Sequence, residues 1–218
     1  MRKLLFALSL ALVVPACAFD SGGATLDNAE PLWRDLGHRA FLDLDPSSRV
    51  GVTATGPDGA PLAGVAPTVT GGAAVLRATP DGTLLVEDLD VTLDDVIVPA
   101  GALGAQPIHL TDVTLHLGTQ IAVDATWSPT GESVAGSGTG DLLLDWSLVL
   151  DDGTPYQLAT QKLAERPFQV AVREDDTGRL TAAVTMTADG ELRQFADSVT
   201  LSDLHMAVVA ARPGVSSR

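Results

Sequence analysis

The sequence predicts an all-β domain, mainly antiparallel, built as a sandwich or as a curved, partly open barrel with one or two short helices. Apolar and polar residues alternate in several runs, most clearly over residues 141–150, as in strands with one buried face. Turn dipeptides such as Asp81-Gly82 and Asp152-Gly153 separate these runs and indicate hairpins. The sequence also predicts a short helix over residues 157–166, of at most three turns.

The leader comes first in the chain. Arg2 and Lys3 precede an apolar run over residues 4–14, and small residues follow it around Cys17. This pattern predicts a signal peptide over residues 1–16. The run is shorter than the roughly 20 apolar residues of a membrane-spanning helix, and no other segment approaches that length. Because Cys17 is the only cysteine, no intramolecular disulfide is expected.

The residues Val14-Pro15-Ala16-Cys17 resemble the lipobox of bacterial lipoproteins, although Pro15 stands where that family usually has Ala or Ser. The resemblance implies cleavage before Cys17 and attachment of lipid, including palmitate, to this cysteine. Ala18 replaces the Asp of inner-membrane retention, which implies an outer-membrane location. The alternative is cleavage after Ala18 at an A-x-A site, which would release a soluble periplasmic or secreted protein.

Residues 17–28 then form a tether rich in small residues, and residues 29–218 form one domain. Within the domain, residues 30–44 predict a short helix, with a first strand from Phe41 as the alternative. The proline- and glycine-rich stretch 45–80 predicts short strands over 50–55 and 73–79. Apolar parity changes at Asp94-Asp95 and at Thr111-Asp112, within strands over 83–98 and 107–117, and each change predicts a bulge or a bend.

The second half of the domain predicts the core. The expected inward faces are those of the strands from Ile121 onward, and their members are Ile121, Val123, Ala125, Trp127, Leu142, Leu144, Trp146, Leu148, Leu150, Phe168, Val170, Val172, Leu180, Ala182, Val184, Met186, Leu204, Met206 and Val208. Few aromatic residues are available to fill a curved interior. The small side chains Ala125, Ala182 and Ala188 therefore leave room for a ligand, unless a second sheet fills it.

The chemistry-bearing residues do not predict catalysis. The glycine-rich run 136–140 opens a strand, not the helix that a phosphate loop requires. His109 and His116 have no recognisable metal-ligand spacing, and the alternating acids Asp88, Asp90 and Asp94 lack the regular calcium loop. The sequence therefore predicts a protein that is not an enzyme, with no cofactor and no metal site. Its one predicted site residue is Cys17.

The charge limits the partners. The chain has a formal charge of −15, and removal of Arg2 and Lys3 with the leader leaves 28 acids and 11 bases, or −17. This field repels phosphates, so nucleic acid is not an expected partner. The sequence predicts an exported, outer-membrane-anchored lipoprotein with a β-rich domain that binds an apolar ligand such as a lipid. The alternative is a structural or protein-interaction module of the cell envelope.

Overall fold

The structure, a computed structural model, describes residues 32, 35–55, 67–98, 100, 107–149, 153–174, 178–192 and 199–212. Most of this chain is antiparallel β-strand. The strands are β1 Ala40–Leu44, β2 Arg49–Thr55, β3 Val69–Ala78, β4 Leu84–Leu93, β5 Val96–Val98, β6 Ile108–Leu117, β7 Ile121–Trp127, β8 Ser133–Val149, β9 Pro155–Gln157, β10 Gln161–Glu174, β11 Leu180–Leu192 and β12 Val199–Ala211. The all-β, antiparallel prediction is confirmed.

The twelve strands occupy eight positions of a closed barrel. β1 and β2 follow one another along β12, and β4 and β5 follow one another along β6. β6 and β7 share the position between β4 and β8, and β9 and β10 share the next position along β8. The positions run in chain order, and β12 pairs back onto β1. The sandwich alternative is therefore wrong, and the predicted barrel is closed and not partly open, because the sheet closes on itself.

The barrel has two different ends. At the closed end lie the β3–β4, β7–β8 and β10–β11 connections, the start of β1 and the end of β12. Leu32, Asp35 and Leu36 have helical backbone just before β1, and both leucines are fully buried in the core. Arg212 Nη1 lies 2.7 Å from Asp35 Oδ2 and links the residue after β12 to the segment before β1. The β2–β3, β5–β6, β8–β9 and β11–β12 connections lie at the opposite end, which we call the flared end.

The inward faces form one apolar core, because strand parity places every second residue inside the barrel. Phe168, Leu142, Ile121, Leu180 and Val184 are fully buried. Among the remaining predicted inward residues, Val123, Trp127, Leu144, Trp146, Val170, Val172, Ala182, Met186, Leu204, Met206 and Val208 are buried, and Ala125 and Leu148 are half-buried. Leu150 and the side chain of Ala188 lie outside the described part.

The predicted helix over residues 157–166 is wrong. Gln161–Leu163 pair with Leu144–Leu142 of β8, and Arg166 pairs with Gly140 after a register shift. Glu165 has a φ of 52° at that shift, and its amide donates to Asp141 Oδ1 at 3.0 Å. This β-bulge adds an extra residue between Leu163 and Arg166, which changes the strand parity there. The change of parity gave the sequence its apparent helical spacing.

The early elements differ from the prediction in length. The helix before β1 is confined, in the described residues, to Leu32, Asp35 and Leu36, and residues 41–44 belong to β1 as in the alternative reading. The predicted bend at Asp94-Asp95 is confirmed as the break between β4 and β5. The predicted bulge at Thr111-Asp112 is also confirmed, since the β6–β8 register shifts there and Asp112 has a φ of 54°.

Candidate ligand-binding site

The barrel wall divides at the flared end. In the described chain the β10–β11 ladder runs from Glu174–Leu180 to Phe168–Met186 and stops there. Beyond this last pair, residues 161–167 stay with β8, whereas residues 188–192 of β11 stay with β12. Two lobes result, which we call the β8 lobe (β5, β6, β9, residues 141–149 and residues 161–167) and the β12 lobe (β2, residues 188–192 and residues 199–204).

The inner face of the β8 lobe is apolar and becomes accessible toward the rim. Leu110 of β6, Leu148 of β8 and Tyr156 of β9 are cross-strand partners in one row and therefore share the inner face. Leu110 is buried, Leu148 is half-buried, and Tyr156 is 61% exposed. By contrast, Phe168 is 0% exposed. It belongs to the part of the barrel where β10 pairs with both β8 and β11, which we call the closed ring. Along β8 the inner face thus stays buried from Leu142 to Trp146 and becomes accessible at Leu148, and its cross-strand partner Tyr156 is exposed.

Trp146 stands on this inner face between Leu144 and Leu148. Its side chain is buried, at 6% exposure, but among the described residues no acceptor pairs with its Nε1. A buried donor without a partner is unfavourable, because its hydration is lost without replacement. In the closed half, Trp127 Nε1 instead donates to Gly82 O at 3.0 Å.

Arg166 is the cation on the inner face of the wall. It pairs with Gly140, whose strand neighbour Leu142 is buried in the core, and it shares its face with Phe168. Its Nε is buried and has no hydrogen-bond partner among the described residues. None of the ion pairs in the described chain involves Arg166. The residue lies two positions beyond the last β10–β11 pair. We call the unpaired gap between residues 161–167 of β10 and residues 188–192 of β11 the cleft, and Arg166 lies at its base.

The glycine-rich run 136–140 shapes the wall beside this point. A Cβ on Gly136 would lie 2.0 Å from Asp124 O, and a Cβ on Gly138 would lie 2.5 Å from Ala122 O. A Cβ on Gly140 would lie 2.6 Å from Ile121 Cγ1. Glycine is required because β7 crosses β8 so closely, and such glycines mark bends of a barrel wall. The expectation that this run leads into a strand and not a helix is confirmed, but the run lies within β8, which already begins at Ser133, and does not open it.

The outer face carries paired charges. Glu87, at a register shift of β4, accepts from Arg77 Nε at 2.5 Å and lies 2.6 Å from Arg39 Nε. The Arg77 hydrogen bond lowers the pKa of Glu87. Lys162 Nζ lies 2.6 Å from Asp141 Oδ2 and lowers the pKa of that carboxyl. These outer cations are therefore occupied, in contrast to Arg166.

A second outer cluster contains His116, whose Nδ1 lies 3.5 Å from Asp145 Oδ2. Thr160 Oγ1 donates to the other oxygen of Asp145 at 2.5 Å. Asp90 is the cross-strand partner of His116, and burial, followed by repulsion from Asp88, raises the pKa of Asp90. This arrangement holds one imidazole among carboxylates on a solvated face.

The other sequence candidates lie apart. His109 is on the outer face of β6, and His205 covers Gly51, since a Cβ there would lie 2.1 Å from His205 Cε1. Asp94 accepts from the amide of Thr68 at 2.7 Å. No group of three or more His, Cys, Asp or Glu residues within the described ranges could hold a metal ion. Cys17, with the leader and the tether, lies outside the described residues.

A groove of about 450 Å³ lies on the outer side of the closed end, between the β3–β4 turn and β7. Asp81 and Asp124 are among its lining residues. Asp81 already accepts a hydrogen bond from Thr79 Oγ1, which lowers the pKa of the Asp81 carboxyl. The described lining of this groove contains two acids and otherwise only small or neutral residues, so it offers no cation, histidine or nucleophilic thiol for binding or catalysis.

Sequence reasoning missed Arg166, although a signal was available. Arg166, Phe168, Val170 and Val172 have the same parity, so a strand that began earlier would have placed the arginine inside. The predicted helix over 157–166 concealed this relation. Pro155 and Pro167 lie in strands β9 and β10, which are separated by the non-strand residues 158–160.

No family model, curated protein or solved structure matches this chain. Along the described part of the chain, no helix has the length and apolar character needed to cross a membrane.

Proposed function

We propose that this protein is an exported lipoprotein, held at the outer membrane through lipid on Cys17, whose barrel binds an apolar ligand such as a lipid at the flared end. The observation that carries the binding proposal is the inner row Leu110, Leu148 and Tyr156, which passes from buried to 61% exposed. An apolar surface that opens from a packed core is typical of ligand sites in barrel mouths.

The position of the termini supports an orientation. The described chain enters the barrel at the closed end, where Asp35 and Arg212 form an ion pair. An anchor at Cys17 that keeps this end near the membrane would leave the flared end, at the opposite end of the barrel axis, facing away from the membrane. A ligand would then enter from the aqueous side.

A matched pair of variants tests the binding proposal. Leu148→Glu places a charge on the inner face, whereas Val149→Glu places the same charge on the outer face, beside His109 and Pro155. A fluorescent fatty-acid analogue should bind the delipidated mature chain saturably. Leu148→Glu should weaken binding at least about tenfold, and Val149→Glu should change it less than about twofold. Equal effects of both variants, or no saturable binding, would reject an internal site.

A second measurement tests the anchor. In a host that processes lipoproteins, the protein should incorporate labelled palmitate and sediment with membranes, and Cys17→Ser should abolish both. A mature N-terminus at Phe19 without label would instead support cleavage after Ala18 and a soluble periplasmic or secreted protein.

The alternative, a structural or protein-interaction module, has its own support. Phe41 on β1 and Ile97 on β5 are 63% and 52% exposed, and exposed large apolar side chains are common at protein contacts. Absence of saturable ligand binding to the folded, delipidated protein would favour this function.

A further inference from the structure

We propose that the ligand is a single-chain amphiphile with a monoanionic carboxylate head, and that Arg166 binds this head at the base of the cleft. The inference rests on the proposed function, because it identifies the class of ligand that the flared end would hold. Its basis is the inward position of Arg166 described above, together with its Nε, which is buried and has no acceptor among the described residues.

The surroundings of Arg166 explain why a ligand is needed to pair it. Its cross-strand partner Gly140 has no side chain, and Ile121 lies over that glycine. The nearest acid in the sequence of β8, Asp141, is used on the outer face by Lys162 and by the amide of Glu165. A buried guanidinium atom without an acceptor is costly, so an anion that reaches it gains both the charge interaction and the hydrogen bonds.

The break in the ladder gives the anion its path. Arg166 lies two residues beyond Phe168–Met186, the last pair of β10 with β11. From this point the two lobes diverge, so the inner face near Arg166 adjoins the cleft, whereas Phe168 and Val170 are enclosed on both sides. An arginine at the position of Phe168 would instead be enclosed between β8 and β11.

Charge favours a carboxylate over a phosphate monoester. One guanidinium matches one carboxylate with two parallel hydrogen bonds. The only lysine of the mature chain, Lys162, is paired outside the barrel, and the overall charge of the mature chain is strongly negative. A dianionic head would keep an uncompensated charge in this field.

The length of the inner face suits one acyl chain. Six residues of β8 separate Gly140, the partner of Arg166, from Trp146, which is about 20 Å along the strand. A chain that fills one leaflet spans about 15 Å, half of the hydrocarbon core. Because Leu142, Leu144 and Trp146 are buried, the tail would have to part their side chains on its way to the half-buried Leu148 and the exposed Tyr156 at the rim.

The test uses the delipidated mature chain and four probes with the same sixteen-carbon tail: the carboxylic acid, the primary alcohol, the primary amine and the phosphate monoester. Displacement of the fluorescent analogue measures their affinities. The acid should bind roughly 10- to 100-fold more tightly than the alcohol, and the amine should bind most weakly. Tighter binding of the phosphate than of the acid would overturn the choice of a carboxylate.

Arg166→Met should remove the preference for the acid and leave the affinity for the alcohol within about threefold. Arg173→Met, an exposed arginine on the outer face of the same strand, is the control for the loss of one charge and should preserve the preference. If Arg166→Met does not fold, Arg166→Lys is the variant to measure. It retains the charge but not the bidentate geometry, so it should lower the affinity for the acid several-fold.

The outcomes separate this inference from the proposed function. Equal binding of acid and alcohol to the native chain, or an unchanged preference in Arg166→Met, would overturn the role of Arg166 while the apolar site remained. If none of the four probes binds, both the site and its head group are rejected.

Discussion

Phe168 and Arg166 stand on the same face of the same strand, two residues apart, and their surroundings differ completely. Phe168 has β8 on one side and β11 on the other, and it is fully buried. Arg166 pairs with β8 but not with β11, and its Nε is buried with no hydrogen-bond partner in the described part of the chain. The comparison teaches that the barrel wall loses one strand pairing beyond a single residue pair, although the inner side chains Leu142, Leu144 and Trp146 beyond that pair stay buried and only Leu148 and Tyr156 at the rim are accessible.

The largest expected effect concerns this packed core. Phe168→Ala should lower the free energy of unfolding by about 3–5 kcal/mol, because it leaves a cavity in a fully enclosed site. Tyr156→Ala, at an inner-face position of the open lobe, should cost less than about 1 kcal/mol because the ring is 61% exposed. Urea denaturation of both variants measures the difference. Similar losses would mean that the flared end is as closely packed as the ring.

Glycine substitutions sharpen the same contrast. Gly136→Ala should cost about 3 kcal/mol, since its Cβ would meet the backbone oxygen of Asp124 at 2.0 Å in the closed wall. Gly71→Ala, in β3 near the flared end, meets nothing within 4 Å. It should be neutral or stabilising by up to about 1 kcal/mol. Thermal unfolding of the two variants should separate them clearly, and a destabilised Gly71→Ala would contradict an open wall there.

The two tryptophans give a smaller difference. Trp127→Phe removes a hydrogen bond to Gly82 O and should cost about 1–2 kcal/mol more than Trp146→Phe. Trp146→Phe removes a buried donor that has no described partner, so it should cost little. Chemical denaturation of the delipidated protein tests the ranking. A larger loss at Trp146 would show that its Nε1 has an acceptor.

The smallest effect is a pH dependence of two carboxylates on β4. Burial raises the pKa of Asp90, so the ionised form costs stability and Asp90→Asn should stabilise by less than about 0.5 kcal/mol at neutral pH. This gain should vanish below the unfolded pKa. The pKa of Glu87 is lowered by Arg77. Glu87→Gln should therefore destabilise at neutral pH, and its loss should fade as the pH falls through the folded pKa of Glu87. Denaturation midpoints at pH 3 and pH 7 check both signs.

The sequence predicted the core faces well because strand parity is a local property. Leu142, Phe168 and Leu180 were identified from alternation alone, and the bulge at Asp112 from a change of parity. The closure of the barrel could not be predicted from the sequence, because it depends on the non-local pairing of β12 with β1. The inward arginine was missed because the inward parity changes between Leu163 and Arg166, at the Glu165 bulge, and this change led to the prediction of a helix over residues 157–166 although Arg166 has the parity of Phe168.

Amide hydrogen exchange along β10, measured by NMR on the delipidated mature chain, tests the division of the barrel most directly. Over residues 168–174 every amide faces a paired strand and should be protected. Over residues 161–166 only the amides directed toward β8 should be protected, so slow and fast exchange should alternate. Continuous protection through 161–166 would contradict the account, because it would mean that β11 continues beside Arg166 and that no cleft reaches it.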